Sequence, residues 1–366
     1  MSQKNGFEHY MLKEIYEQPQ IIRNMLQKRV KEDYILMNEL TRVNIDLKNA
    51  ERVYIVACGS AYHAGMVGKY VIEELCKIPV EVDYASEFRY REPLMNKHTP
   101  VIFISQSGET ADTLASLRLA NEKGATTIGI VNVKDSSIAR ECDCVLYTEA
   151  GTEIAVATTK GYTSQLMMLY LFALNIMQLK NDISKEALSR FIRQLKNIPQ
   201  KMDNIIYDTS DILTLADEYY TKENIFFIGR NMDYALSLEG SLKLKEISYI
   251  NSQAYPAGEL KHGTIALIDD QSLVIALCAN KRLLPKTVSN VEETTARGAQ
   301  IICLTPRENQ ELFDSRTKFI FIEKMDDILM PLVEIIPLQL FAYYVAKNKG
   351  ADIDMPKNLA KSVTVE

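Results

Sequence analysis

The sequence predicts an α/β protein with two tandem, doubly wound parallel-sheet domains, and three observations carry that expectation. Short apolar runs alternate with helical patterns along most of the chain, as in a mostly parallel sheet covered on both faces. The whole pattern returns after 170 to 174 residues, an offset too long for a solenoid repeat and fitting a duplicated domain. At 366 residues, with 47% hydrophobic and 25% charged side chains, the chain is long enough for two cores of ordinary composition.

The first copy opens after an amphipathic stretch that ends near Lys31. "RVYIVACGSAYHAGMVGKYVIEELC" reads as a strand to Ala57, a turn at Gly59 and a helix with Ala64, Val67, Val71 and Leu75 on one face. "TPVIFISQSGE", a helix to Lys123 and "TTIGIVN" follow. The second copy repeats this with "NIFFIGRNMDYALSLEGSLKLKEI", where Gly229 answers Gly59, then "QSLVIALCANK" and "ARGAQIICLTP". A long helical stretch from Thr159 to about Tyr220 reads as the connection between copies. The expected division is a helical linker segment over 1–40, a first domain over 41–221, a second over 222–350 and a tail over 351–366.

Bulk properties exclude several classes of function. A net charge of −6 offers no basic surface for nucleic acid, and no nucleic-acid partner is expected. No apolar run reaches the ~18 residues of a membrane span, and the N-terminus lacks a signal-peptide core, so neither membrane nor export is expected. Six cysteines in a chain this long are no disulfide framework, which fits a reducing cytoplasm. Cys142 and Cys144 are read as alternating on one face of a short strand, with too few partners for a zinc site.

The copies differ most where a ligand would bind. In open parallel sheets that place is beyond the carboxyl ends of the strands, at helix N-termini. There the first copy has Ser105-Gln106-Ser107-Gly108-Glu109-Thr110, and the second has Leu277-Cys278-Ala279-Asn280-Lys281-Arg282. A loop that one copy dispenses with is not needed to build the domain. Its hydroxyls, its glycine and the following helix N-terminus suit a phosphate monoester. The alternative is a Ser or Thr cap with nothing bound. Neither a Walker loop nor a dinucleotide fingerprint is present. A second Ser/Thr-rich turn, "AGTEIAVATTKGYTSQL", precedes a long helix near Gly161, and Thr158 or Thr159 could equally be a plain cap.

Candidates for proton chemistry are few. Of four histidines, His262 in "GELKHGT" lies at a strand-end position. Glu239, Lys243 and Glu246 follow at i, i+4 and i+7 on one helical face, where an ordinary exposed ion-pair face is the competing reading. Lys361 stands in the tail "MPKNLAKSVTVE", where a surface lysine would be unremarkable in itself.

Taken together, "HYMLKEIYEQP", "ASEFRYR", "SQSGETADT", "GTEIAVATTK", "LEGSLKLKEISYI", "AYPAGELKHG" and "NLAKSVTVE" resemble, in order and spacing, the isomerase half of the glucosamine-6-phosphate synthases, the glutamine:fructose-6-phosphate amidotransferases. The resemblance runs from about Glu8 to Glu366. It implies two flavodoxin-like sugar isomerase (SIS) domains with an ordered C-terminal tail, and no metal, pyridoxal phosphate or other cofactor. The phosphate of fructose 6-phosphate would lie on Ser105, Gln106, Ser107 and Thr110, with Ser60, Thr158, Ala360 and the backbone near Val156 also at the substrate. Lys361 would form a Schiff base with the open-chain ketose. Glu246 would move a proton between C1 and C2 beside Lys243, and His262, donated by the other subunit of a homodimer, would assist ring opening.

Two positions depart from the family's pattern. Ala61 stands where a hydroxyl is familiar, and Thr264 where a proline often follows His-Gly. The family's glutaminase domain has no counterpart in these residues, so an isomerase part, unable by itself to use glutamine, is expected to bind fructose 6-phosphate and glucosamine 6-phosphate. The rival expectations are a stand-alone aldose–ketose isomerase or ammonia-dependent aminosugar enzyme, and, from another class, a sugar-phosphate-sensing regulator.

Overall fold

The computed structural model describes residues 3–43, 47 and 49–365; Met1, Ser2, Asn44 to Asp46, Lys48 and Glu366, which belong to the expected linker, first-domain start and tail, lie outside the described residues. Two helices come first, α1 (Tyr10–Arg29) and α2 (Asn38–Arg42). Then follow β1 (Val53–Ala57), α3 (Gly59–Cys76), β2 (Val80–Tyr84), α4 (Ala85–Phe88), β3 (Val101–Ser105) and α5 (Ala111–Glu122). β4 (Thr127–Val131), α6 (Ser137–Glu141), β5 (Cys144–Tyr147) and α7 (Lys160–Lys180) complete the first sheet and its cover. After α8 (Lys185–Tyr207) and α9 (Ser210–Tyr219) the second set begins with β6 (Asn224–Gly229), α10 (Met232–Ser248), β7 (Asn251–Pro256) and β8 (Leu273–Leu277). It ends with α11 (Leu284–Thr295), β9 (Gln300–Pro306), β10 (Lys318–Ile322) and α12 (Pro331–Asn348).

Each set forms a five-stranded parallel sheet, in the orders β2-β1-β3-β4-β5 and β7-β6-β8-β9-β10. Counted within its own set, each reads 2-1-3-4-5, the flavodoxin-like order expected from the resemblance. The switch points are β1/β3 and β6/β8, whose carboxyl ends are the places for a ligand. Strands β1, β3, β4 and β8 are buried at every residue, which is why their sequences read as unbroken apolar runs.

The chain divides into two compact units. The first-sheet unit holds 17–153, 160–199 and the tail from Ala360. Its core includes Tyr54, Val56, Val101, Phe103, Leu117 and Ile138. The second-sheet unit holds the chain up to Tyr16, residues 154–159 and 200–359. Phe226, Ile228, Val274, Ala276, Val291 and Ile301 lie in its core. Asp354 organises part of this second unit. Its carboxylate accepts the N–H groups of Tyr10 and Met11 at 2.9 Å each, where the N-terminus of α1 favours an anion. Its carbonyl accepts the Val156 N–H at 3.0 Å.

The stretch read as a connection between copies turns out to be three helices, and the first is no connector. Helix α7 is buried from Lys160 to Met177 and packs against α3 within the first-sheet unit. Gly68 permits this approach, since a Cβ there would stand 2.8 Å from Leu169 Cδ1. Helix α12, buried from Pro331 to Val345 except at Tyr344, covers α10 in the same way in the second-sheet unit. Cys142 also differs from expectation. It ends α6 rather than sharing a strand face with Cys144, which opens β5. Burial pushes both thiols up, that of Cys144 to about 12, so both are poor thiolate ligands.

Candidate active site

In the first-sheet unit, β3 runs out at Ser105, and the loop to α5 is held by its own hydroxyls. Ser105 Oγ accepts the Gly108 N–H at 3.0 Å and lies 3.0 Å from Thr110 Oγ1. Ser107 Oγ accepts the Glu109 N–H at 3.2 Å. Thr110 is the N-cap residue of α5, yet its side chain makes no capping hydrogen bond. Thr110 therefore does not cap α5 with its side chain. Gly108 is required: its φ is +67°, and a Cβ would fall 2.0 Å from Ser136 Oγ. The loop is thus a close-packed turn with the Ser105 and Thr110 hydroxyls drawn together at the end of a buried strand. Gln106 holds its neighbour strand loop through its carbonyl, which accepts the Asn132 N–H at 3.2 Å.

The tail from Ala360 joins this loop. Ser362 Oγ lies 2.9 Å from Ser107 Oγ, and the Val363 carbonyl accepts the Ala111 N–H of α5 at 3.1 Å. One residue before Ser362, Lys361 Nζ donates to Glu153 Oε2 at 2.5 Å. The Glu153 side chain is fully buried, and its Oε1 accepts the Gly161 N–H at 2.9 Å in the first turn of α7. Ala360 is exposed, and Ser60 is buried in the first turn of α3.

In the second-sheet unit, the three charges of α10 are not the exposed face that their spacing allows. The side chains of Glu239 and Lys243 are 0% and 1% exposed, and that of Glu246 is 20%. Lys243 Nζ stands 2.6 Å from Glu246 Oε2, at an angle too oblique for a hydrogen bond, and 3.5 Å from Glu239 Oε1. One buried ammonium between two carboxylates keeps the outer one, Glu246, paired and partly open to solvent. His262 ends a short 3₁₀ turn, Leu260–His262, and is exposed; it shares no hydrogen bond or ion pair with α10 among the described residues. Val156 and Thr158 are half-buried, and the Val156 N–H is already committed to Asp354.

The second copy shows why only one phosphate loop is expected. Register pairs Tyr54 with Val101 and Ile225 with Leu273, so Ala279 and Asn280 occupy the places of Ser107 and Gly108. Their N–H groups both donate to Asp233 Oδ2, at 3.3 Å each. A carboxylate of the protein itself takes the strand-end amides. Burial pushes the Asp233 carboxyl up to about 7, against the two amide bonds and with help from Asp327. Burial likewise raises Glu334 well above the usual carboxylate range; it is fully buried and neither oxygen has a hydrogen-bond partner.

Sequence reasoning passed over Glu153, Ser362 and Asp233. Glu153 is the one acidic residue of "GTEIAVATTK", a stretch in which the hydroxyls are the more numerous polar groups. No group of three or more His, Cys, Asp or Glu side chains suited to a metal occurs among the described residues, and no helix of the described residues is long and apolar enough to cross a membrane.

Two flavodoxin-like sheets in tandem are the architecture of a two-domain SIS protein, and the SIS domain model matches residues 46–175 and 218–348. The chain belongs to the SIS domain family. More particularly, it is 50% identical over 366 residues to the glutamine–fructose-6-phosphate aminotransferase (isomerizing) of Caldanaerobacter subterraneus subsp. tengcongensis, and 50% identical over 370 residues to that of Clostridium tetani. All of this chain is covered in both alignments, and it spans 60% of the length of each of these relatives. The C-terminal domain of the glucosamine-fructose-6-phosphate aminotransferase from Francisella tularensis superposes with a TM-score of 0.93 at 40% identity, covering 97% of this chain and 100% of that one.

Proposed function

We propose that this chain carries the sugar-isomerising chemistry by which fructose 6-phosphate and ammonia become glucosamine 6-phosphate. The observation that carries the reading is the joining of Lys361 and Ser362 to the phosphate loop at Ser107. An amine nucleophile thereby stands beside a loop whose composition suits a phosphate monoester. Ser105, Gln106, Ser107 and Thr110 bind the phosphate; Ser60, Val156, Thr158 and Ala360 line the rest of the sugar. Lys361 Nζ adds to C2 of the open-chain ketose, water leaves, and an iminium forms. Ammonia then adds to C2 and Lys361 leaves as its amine, which makes the iminium of the product nitrogen. That iminium acidifies the C1 protons, so Glu246 removes one as base and returns it to C2 as acid, while C1 becomes the aldehyde and the O1 proton passes to the new amine. Lys243, with its Nζ 2.6 Å from Glu246 Oε2, holds that carboxylate in place for both steps.

The same reading assigns His262 to ring opening from a second copy of the chain in a homodimer, an ammonia-supplying glutaminase domain to the full-length enzyme, and the cytoplasm as the compartment. The exposure of His262 supports its donation to another subunit.

Borohydride trapping with fructose 6-phosphate, followed by peptide mapping, tests the centre of the proposal. Reductive attachment of the sugar at Lys361 is expected. Intact sugar binding without modification of Lys361 refutes the Schiff base. Mixing His262→Ala with Glu246→Gln chains tests the shared site, and confirmed heterodimers that regain no hexose 6-phosphate interconversion refute it.

A further inference from the structure

We propose that Glu153 is the residue that positions Lys361 and exchanges its proton, an inference that rests on Lys361 being the Schiff-base lysine. A lysine on a tail without regular structure has four rotatable side-chain bonds to fix before its nitrogen can meet a carbonyl. Glu153 fixes them at the far end: Oε2 accepts from Nζ at 2.5 Å. The carboxylate cannot move to follow the lysine, because Oε1 is tied to the Gly161 N–H at 2.9 Å and the side chain is fully buried. That N–H belongs to the first turn of α7, a helix end that suits a carboxylate. A buried anion anchored at a helix start and aimed at a half-exposed ammonium is a fixed seat for that ammonium.

The seat also balances the chemistry. Lys361 must lose one proton before its electron pair can add to C2, and Glu153 accepts it along the existing hydrogen bond. The N–C2 bond forms, the carbonyl electrons go to oxygen, and that oxygen takes one proton from the newly bonded nitrogen. Glu153 then returns its proton to that hydroxyl as it leaves as water. The products are the iminium, one water and the Glu153 carboxylate, with no other reactant consumed.

Glu153→Gln tests this, because the amide keeps an oxygen for the Gly161 N–H and loses only the charge and basicity. The rate of reductive trapping of fructose 6-phosphate on Lys361 is expected to fall by about a hundredfold, with the sugar's dissociation constant changed less than about threefold. In a second, sugar-free measurement, acetic anhydride labelling of Lys361 relative to the exposed Lys357 is expected to rise in Glu153→Gln, since Nζ is no longer held against a carboxylate. Glu153→Asp, which keeps the charge on a shorter stem, is expected to recover part of the trapping rate. If Glu153→Gln does not fold, the same two readouts are taken on Glu153→Asp, where slower trapping and faster labelling than in the parent chain are expected. An unchanged labelling ratio, or a loss of trapping that only follows a loss of sugar binding, overturns the proposal. If the parent chain itself shows no trapping at Lys361 while the labelling ratio still responds to Glu153, the Schiff-base reading fails and the seat remains as a structural contact.

Discussion

Ser107 Oγ and Ser362 Oγ lie 2.9 Å apart, two hydroxyls 255 residues distant in sequence that tie the tail to the loop between β3 and α5. Ser107 has one oxygen to share between the tail and an incoming phosphate. Ser107→Ala is expected to weaken fructose 6-phosphate binding by about 10- to 100-fold, the worth of a hydrogen bond to a charged group. Ser362→Ala, which removes only the competitor, is expected to leave affinity unchanged or tighter. Calorimetric titration of both variants decides this, and equal losses in the two would refute it.

Gly108 gives a second expectation, this one for stability. Gly108→Ala combines a left-handed φ with a Cβ 2.0 Å from Ser136 Oγ. A cost of about 2–4 kcal/mol follows from the two effects together. Adding Ser136→Gly is expected to restore only the part due to the clash. Urea unfolding of the single and double variants separates the contributions, and full recovery in the double would show that the backbone conformation is not strained.

The buried charges of α10 should behave as a coupled set. Lys243→Met strands the Glu239 carboxylate in a site with no exposure, a change that costs about 3–5 kcal/mol for a broken buried pair. Lys243→Met with Glu239→Gln is expected to regain much of that loss, because no uncompensated charge is left. A double-mutant cycle measured by denaturant unfolding is the check; simple additivity of the two changes would argue against coupling.

Asp233 and Glu334 set a pH dependence whose sign comes from burial. Both carboxyls are held above their ordinary values, Asp233 at about 7 instead of 3.8. Between those two values the folded chain binds more protons than the unfolded chain. The stability they contribute is therefore complete below 3.8 and is lost as pH rises through about 7. The thermal midpoint is expected to fall from roughly pH 5 to pH 8, and Glu334→Gln to flatten that fall. Parallel curves for the parent chain and the variant would exclude Glu334 as a source.

Much of the architecture was legible before any coordinates. Unbroken apolar runs such as "VYIVA" and "VIFIS" announced strands covered on both faces, and the return of the pattern near Gly229 announced the second sheet. The difference between the two strand-end loops was legible because the duplication supplied its own control, a second copy without the hydroxyls. Helix α7 was harder. Its apolar stretch reads as a connector until α12 is seen to repeat its burial in the second copy.

The same contrast separates what the chain encodes locally from what its packing adds. Strand, turn and helix follow from side-chain period, from the positive φ at Gly108 and from hydroxyls that reach backbone groups a few residues away. Those interactions are short in sequence, so one sequence suffices to read them. Burial is another matter, because the water a charge loses is displaced by groups far off in the chain. Helix α12 contributes to making α10 a buried helix, the start of α7 helps to hold Glu153 in place, and the tail carries Lys361 to it. Residue types named the candidates for chemistry; the folded packing decided which carboxylates are dry, which are paired and which amine is held in place.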